Sequence, residues 1–204
     1  MKKFLMTFML IFVALIGLNA QGYNIGDRAA DFKLKNVDGK MVSLSEYDKA
    51  SKGAIVIFTC NHCPYAKAYE DRIIEIDKKF REKGYPVIAI NPNDPELAPE
   101  DSYEKMIVRA KEKGFTFPYL FDETQEVYKK YGATRTPHVY VLNKMGEGFE
   151  VAYIGTIDDN YKDASAVKKQ YLADAVTALL NGNDPDPDFT KAIGCSIKDK
   201  ANKK

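Results

Sequence analysis

The chain has no tryptophan, only two histidines and only three cysteines among its 204 residues. Three cysteines cannot build a dense disulfide framework, so the fold must stand on a hydrophobic core and the cysteines are free for chemistry. An excess of charge is missing as well. Lys and Arg number 30 against 29 Asp and Glu; without Lys2 and Lys3, 28 basic residues face 29 acidic ones, a net charge of −1. That balance excludes nucleic acid as an expected partner. No apolar run reaches the roughly 20 residues a membrane-spanning helix needs. The longest, Phe4 to Leu18, follows Met1-Lys2-Lys3 and ends at Asn19-Ala20-Gln21, the charged start, apolar middle and small-residue end of a secretory leader. Residues 1–20 are therefore expected to be a signal peptide, with no stable membrane span after cleavage and a destination outside the cytoplasm, the bacterial periplasm. No cysteine stands near the end of the apolar run, which argues against a lipid anchor. Internal repeats and linkers are also missing. The remainder reads as one globular domain over residues 21–182 with a C-terminal extension over 183–204.

What is present is a regular alternation of elements. Phe32 to Leu34 and Met41 to Leu44 alternate apolar and polar around Asp38-Gly39, which predicts a hairpin. Ser45 to Lys49 reads as a short helical turn. Ala54 to Phe58 is continuously apolar and β-branched, the pattern of a strand buried on both faces of a parallel sheet. A helix is predicted from Pro64 to Lys83, a second buried strand over Pro86 to Ile90, and a proline-rich loop from Asn91 to Pro99. A helix over Ser102 to Lys113, a strand at Tyr119 to Phe121 and a helix over Glu123 to Tyr131 follow. Val139 to Leu142 and Glu150 to Ile154 form a second hairpin, and a final amphipathic helix spans Ser165 to Leu180. Asn183 to Asp188 cannot be regular, and Lys198 to Lys204 reads as a solvated tail. The order predicts an α/β protein with a mixed sheet, helices on both faces and an N-terminal hairpin.

Directly after the first buried strand stands Thr59-Cys60-Asn61-His62-Cys63-Pro64. Two thiols separated by two residues at a helix start can close a small disulfide ring. Unsatisfied amides and the positive end of the helix dipole favour a thiolate there. The expected roles are Cys60 as nucleophile and Cys63 as the thiol that resolves the mixed disulfide. His62, if cationic, would support the thiolate. The same spacing suits half of a zinc or copper site, with His62, His138 and Cys195 as the remaining ligand candidates. It also suits a static clip, which so short a loop makes a weak stabiliser. Neither is favoured, so no metal and no organic cofactor is expected; the electrons travel on sulfur. Cys195 could be a buried apolar residue, a resolving thiol or an intermolecular partner, with burial the commonest fate of a free cysteine. Arg135 could support a thiolate or face solvent. No buried carboxylate that could take a thiol proton is identifiable in the sequence.

Thr136-Pro137 precedes the strand that begins at Val139. A buried strand, a Cys-x-x-Cys at a helix start and a later Thr-Pro before a hairpin, in that order, resemble the thioredoxin fold. Ala30-Asp31-Phe32-Lys33-Leu34, Gly39-Lys40, Ser43 to Tyr47, Asp122 and Tyr131-Gly132 are similar to the redoxin branch, which includes peroxiredoxins and periplasmic thiol-disulfide oxidoreductases. Asn61 to Tyr65, Asn91-Pro92-Asn93-Asp94 and Ile193 to Lys198 resemble the AhpC/TSA-type, peroxiredoxin-like redoxins of bacteria. The resemblance runs from Tyr23 to Lys198. It implies that Pro137 is cis and packs opposite the cysteine pair, and that Thr136 offers backbone hydrogen bonds to an incoming peptide. The partners it implies are a protein thiol or disulfide substrate and a redox partner protein. Thioredoxins proper carry tryptophan before the first cysteine, where this chain has Thr59. In peroxiredoxins a threonine stands three residues before a Cys-Pro; here Cys60 holds that place before Cys63-Pro64. A thiol peroxidase, with Cys63 attacked and Cys60 or Cys195 resolving, is the alternative. A copper or zinc carrier is the second.

Overall fold

The computed structural model describes residues 22–202. The predicted signal peptide lies outside them. In chain order the strands are β1 (Arg28–Ala29), β2 (Lys33–Asn36), β3 (Met41–Ser43), β4 (Gly53–Phe58), β5 (Val87–Asn91), β6 (Tyr119–Phe121), β7 (Arg135–Thr136), β8 (His138–Lys144), β9 (Phe149–Gly155) and β10 (Cys195–Ser196). The α-helices are α1 (Pro64–Phe80), α2 (Tyr103–Lys113), α3 (Glu126–Tyr131) and α4 (Tyr171–Leu180). Eight strands form one mixed sheet in the order β1-β9-β8-β4-β5-β6-β2-β3, while β7 and β10 make a separate pair. Strands β4, β5 and β6 run parallel; β8 lies antiparallel to β4 on the other side. The predicted mixed sheet with an N-terminal hairpin is what forms, β2 and β3 pairing antiparallel. Among the described residues no helix is long and apolar enough to cross a membrane.

All six residues of β4 are buried because the strand feeds two cores. Ile55 and Ile57 face one layer, with Tyr69, Ile73 and Phe80 of α1 and Leu172 and Val176 of α4. Ala54, Val56 and Phe58 face the other, with Phe32, Leu44 and the α3 residues Tyr128 and Tyr131. A central strand therefore reads as a continuous apolar run, and its C-terminal end is fixed from both sides. That end delivers Thr59 and Cys60 to the edge of the sheet.

Two segments depart from expectation. The last helix begins at Tyr171, not Ser165: Ala164–Ala166 is a single 3-10 turn, capped by Asp163, whose side chain accepts from the Ser165 amide. Asp159 then takes the Lys168 amide on its carboxylate, so aspartate side chains compete with the helix for backbone donors. Residues 198–202 are no free tail. The Lys198 amide donates to Asn93 Oδ1 at 2.8 Å, and its carbonyl accepts from the Asp94 amide and from Gln125 Nε2. The Lys200 amide donates to Gln125 Oε1. The run of lysines in the sequence made this segment look solvated, but its backbone is held.

Candidate functional site

The site is assembled where β4 ends, α1 begins and β7 meets β10. Cys63 is the N-cap residue of α1 and Pro64 its first helical residue, a position proline favours because its missing amide would have no helical partner. Cys60 lies before the helix rather than within its first turn. Both cysteines are buried, Cys60 at 3% exposure and Cys63 at 0%. The Thr136–Pro137 peptide is cis, as the resemblance implied, and Thr136 touches both sulfurs. Its hydroxyl lies 3.2 Å from Cys60 Sγ and its carbonyl oxygen 3.3 Å from Cys63 Sγ. The sequence thus brings Cys60, Cys63, Thr136 and Pro137 together.

The sulfur bonding differs from the expected ring. Cys63 is disulfide-bonded to Cys195, across 132 residues and a Cα–Cα distance of 6.1 Å, and Cys60 is the free thiol. The bridge forms because β10 pairs antiparallel with β7 in the register Cys195 opposite Thr136 and Ser196 opposite Arg135. Cys195 is half-buried against the Cys60, Cys63 and Ala66 cluster. It is neither an isolated core residue nor, in this structure, an intermolecular partner. The Thr136 strand edge expected to receive a peptide already carries one, from this chain's own C-terminus.

Cys60 does not have the environment of a thiolate. Burial, and after it the Asp101 carboxylate, push its thiol up to about 11; the Thr136 hydroxyl and the His62 and Cys63 amides oppose this without outweighing it. Desolvation of the charged form dominates because the sulfur is buried in the cluster with Cys63 and Ala66, against which Tyr65 and Cys195 pack. The covalent link lies instead on Cys63, and Cys60 is the protonated thiol beside it.

Asp101 is the residue the sequence reading missed. Its carboxylate is fully buried and accepts from the Asn61 amide (2.8 Å), the His62 amide (3.1 Å) and Asn93 Nδ2 (2.7 Å), while His62 Nδ1 lies 2.5 Å from its other oxygen. The Asp101 carbonyl in turn accepts from Asn91 Nδ2, and Asn61 joins Tyr119 through Asn61 Oδ1. The Asn91-Pro92-Asn93 motif is therefore a clamp that fixes a buried acid beneath the cysteine loop. An acid immediately before the N-cap serine of α2 is an ordinary helix-start residue, which is why nothing in the sequence singled it out.

Cys60, His62 and Asp101 offer ligand atoms that all lie within 4.8 Å of one another, a set that could hold a soft or borderline cation. His138 is not part of it. That ring is buried, its Nδ1 accepts from the Thr134 amide at 3.3 Å, and burial lowers its pKa from 6.5 to about 4. Below pH 6.5 the unfolded chain takes up a proton that folded His138 refuses, so stability present above that pH is lost as pH falls toward 4. About 3 kcal/mol should disappear over this window. Chemical denaturation at pH 7 and pH 4 should show that loss in the wild type and not in His138→Asn. Arg135 does not reach the cysteines either; it is exposed and donates to Ser196 Oγ at 2.7 Å, securing β10.

The chain is similar to several known proteins. A curated relative, the thiol-disulfide oxidoreductase ResA of Halalkalibacterium halodurans, is 26% identical over 122 residues, 60% of this chain and 64% of that protein, so the match spans less than two-thirds of its length. The crystal structure of an uncharacterized conserved protein from Geobacillus kaustophilus is similar with a TM-score of 0.79 and 39% identity, over 88% of this chain and 94% of that one. The exposed lipoprotein thioredoxin of Streptococcus pneumoniae shares the fold, with a TM-score of 0.53 and 24% identity over 75% of this chain and 99% of that one. The sheet and its flanking helices are thioredoxin-like. Residues 25–149, most of the described domain, match the model of the AhpC/TSA family, and the chain belongs to that family.

Proposed function

We propose that this chain is an exported thiol-disulfide oxidoreductase that exchanges sulfur bonds with protein disulfides or dithiols, with Cys63 as the shared sulfur and Cys60 as the thiol that takes over its bond. The observation that carries this reading is the Cys63–Cys195 disulfide with the free Cys60 packed beside it, both sulfurs resting on Thr136. Transfer of the Cys60 proton to Asp101 gives the thiolate, the attacking species. Cys60 Sγ then attacks Cys63 Sγ, the Cys60–Cys63 bond forms, the Cys63–Cys195 bond breaks, and Cys195 leaves with the electron pair and is protonated. No electron leaves sulfur, so no organic cofactor is needed. A reducing partner protein opens the Cys60–Cys63 bond to two thiols and is itself left as a disulfide; a substrate disulfide then takes that electron pair through a mixed disulfide on Cys63, which Cys60 resolves, so the Cys60–Cys63 bond re-forms and the substrate leaves as two thiols. The leader read over residues 1–20 supports export, and a disulfide persists best in an oxidising compartment.

One observation favours a second reading, a thiol peroxidase. If peroxide oxidised the Cys63 thiolate to a sulfenic acid, condensation with the Cys195 thiol would release water and form the same Cys63–Cys195 bond. Insulin disulfide reduction and peroxide consumption, assayed side by side on the chain without its leader, separate the two. Exchange predicts insulin turnover with peroxide consumed no faster than by a free thiol. Rapid peroxide consumption, with sulfenic acid trapped on Cys63 in Cys195→Ser, would move the assignment to the second reading. Metal analysis of protein purified without chelator tests the remaining alternative, a copper or zinc carrier.

A further inference from the structure

We propose that the groove beside Thr136 and Pro137 is a binding site for an extended peptide in which cysteine directly follows glycine, and that Gly194-Cys195 is this chain's own tethered occupant of it. The inference rests on the reading that Cys63 exchanges sulfur. It names the class of substrate.

Three independent features define the site. The first is the strand edge: Cys195 and Ser196 pair antiparallel with Thr136 and Arg135, and such backbone pairing accepts any extended peptide, since it uses groups every residue carries. The second is the sulfur that ends the groove, Cys63, which lies fully buried beneath the occupant. The third is a steric filter. A Cβ built on Gly194 would lie 2.2 Å from the Thr136 carbonyl oxygen, 2.6 Å from its carbonyl carbon and 3.1 Å from Pro137 N. These atoms are backbone, held in the β7 pairing and by the proline ring, and they cannot swing aside as a side chain would. Any residue but glycine before the cysteine must push the strand off the edge that aligns it. The residue after the cysteine sits in the open: Ser196 is exposed, and its hydroxyl accepts from the side chain of Arg135.

β10 is short, and outside the disulfide and its pairing with β7 it is held by the Arg135–Ser196 hydrogen bond, by Ile197 packed on the core, and by the contacts of Lys198 with Asn93, Asp94 and Gln125. Breaking the Cys63–Cys195 bond removes the only covalent hold and leaves two residues of pairing, one exposed hydrogen bond and the half-buried Ile197, contacts for which a substrate strand of the same pattern can compete.

The test uses the full chain carrying Cys195→Ser and two peptides, Ala-Ile-Gly-Cys-Ser-Ile and its Gly→Ala counterpart, each with the cysteine activated as a mixed disulfide with thionitrobenzoate. Cys63 thiolate displaces thionitrobenzoate: one sulfur bond forms as another breaks, and the coloured thiolate departs with the electron pair. The glycine peptide should react at least about tenfold faster than the alanine peptide, the scale of effect expected from overpacking a rigid backbone contact. Adding Gly194→Ala to Cys195→Ser should speed capture of the glycine peptide, because the tethered competitor no longer fits. Equal rates for the two peptides would overturn the proposal and leave sulfur exchange intact, as would reaction with free dithionitrobenzoate alone. No reaction with any of these, or unchanged reaction in Cys63→Ser/Cys195→Ser, would remove the exchange reading itself.

Discussion

Replacing Cys63 by serine is expected to abolish exchange with protein disulfides, a loss on the order of 10⁴-fold or more, the scale on which removal of a covalent nucleophile acts. Every bond in the proposed cycle includes this sulfur. It lies within reach of Cys195 through the β7–β10 pairing, and Cys60 packs against it. Its place as N-cap of α1 gives a leaving thiolate the helix amides and the positive end of the dipole. Cys195→Ser should be far milder, since the serine removes only the disulfide that fixes the occupant in its groove. The contrast between the two variants in insulin reduction is the readout; equal losses would assign Cys195 a required role in each turnover. Serine is close to cysteine in volume and Cys63 is buried, so circular dichroism and thermal unfolding should show that the fold persists.

The second large effect is expected from Asp101→Asn. The carboxylate raises the Cys60 thiol, second only to burial, and lies within 4.8 Å of its sulfur, a gap that one bridging water spans for the proton. An amide cannot accept that proton. It also cannot serve all the donors now met, because Asn61 and His62 amides, Asn93 Nδ2 and His62 Nδ1 all converge on two oxygens. Resolution by Cys60 should therefore slow on the order of 10²- to 10⁴-fold, the range of general-base contributions. At the same time the thiol should titrate below its present value of about 11, because a negative neighbour has gone. Stability should fall by about 1–3 kcal/mol from the donor left unmatched. A slower rate together with a lower thiol pKa distinguishes proton acceptance from a merely structural role. Thiolate absorbance against pH, measured on Cys63→Ser/Cys195→Ser with and without Asp101→Asn, supplies that test, and an unmoved Cys60 titration would contradict it.

Local chemistry written in neighbouring residues was legible in advance. The apolar β4 run, the proline-started α1 and the hairpin around Asp38-Gly39 all follow from side-chain periodicity and turn geometry, which act over a few residues. So did the meeting of the cysteine loop with Thr136-Pro137, through the resemblance their order carries. What could not be read was set by tertiary register. Cys63 and Cys195 are 132 residues apart, and pairing between cysteines is not deducible from their spacing. The raised pKa of the Cys60 thiol comes from its burial and from Asp101, which no count of helix positions could reveal. Asp101 acts through a carboxylate turned inward while its sequence place is that of a surface helix-start acid. Likewise, the extension beyond residue 183 returns to the core through main-chain groups: the Ile154 amide donates to Asp188, and the Thr190 amide to the Ile154 carbonyl. Such bonds leave no trace in side-chain composition.

The account turns on Cys63 being the sulfur common to successive bonds. Peptide mapping of the protein, alkylated without reduction at intervals during turnover of a protein disulfide, tests this directly. It should find Cys63–Cys195 and Cys60–Cys63 linkages exchanging with one another, and no bond between Cys60 and Cys195. A Cys60–Cys195 linkage, or Cys63 recovered as a free thiol at every time point, would contradict it.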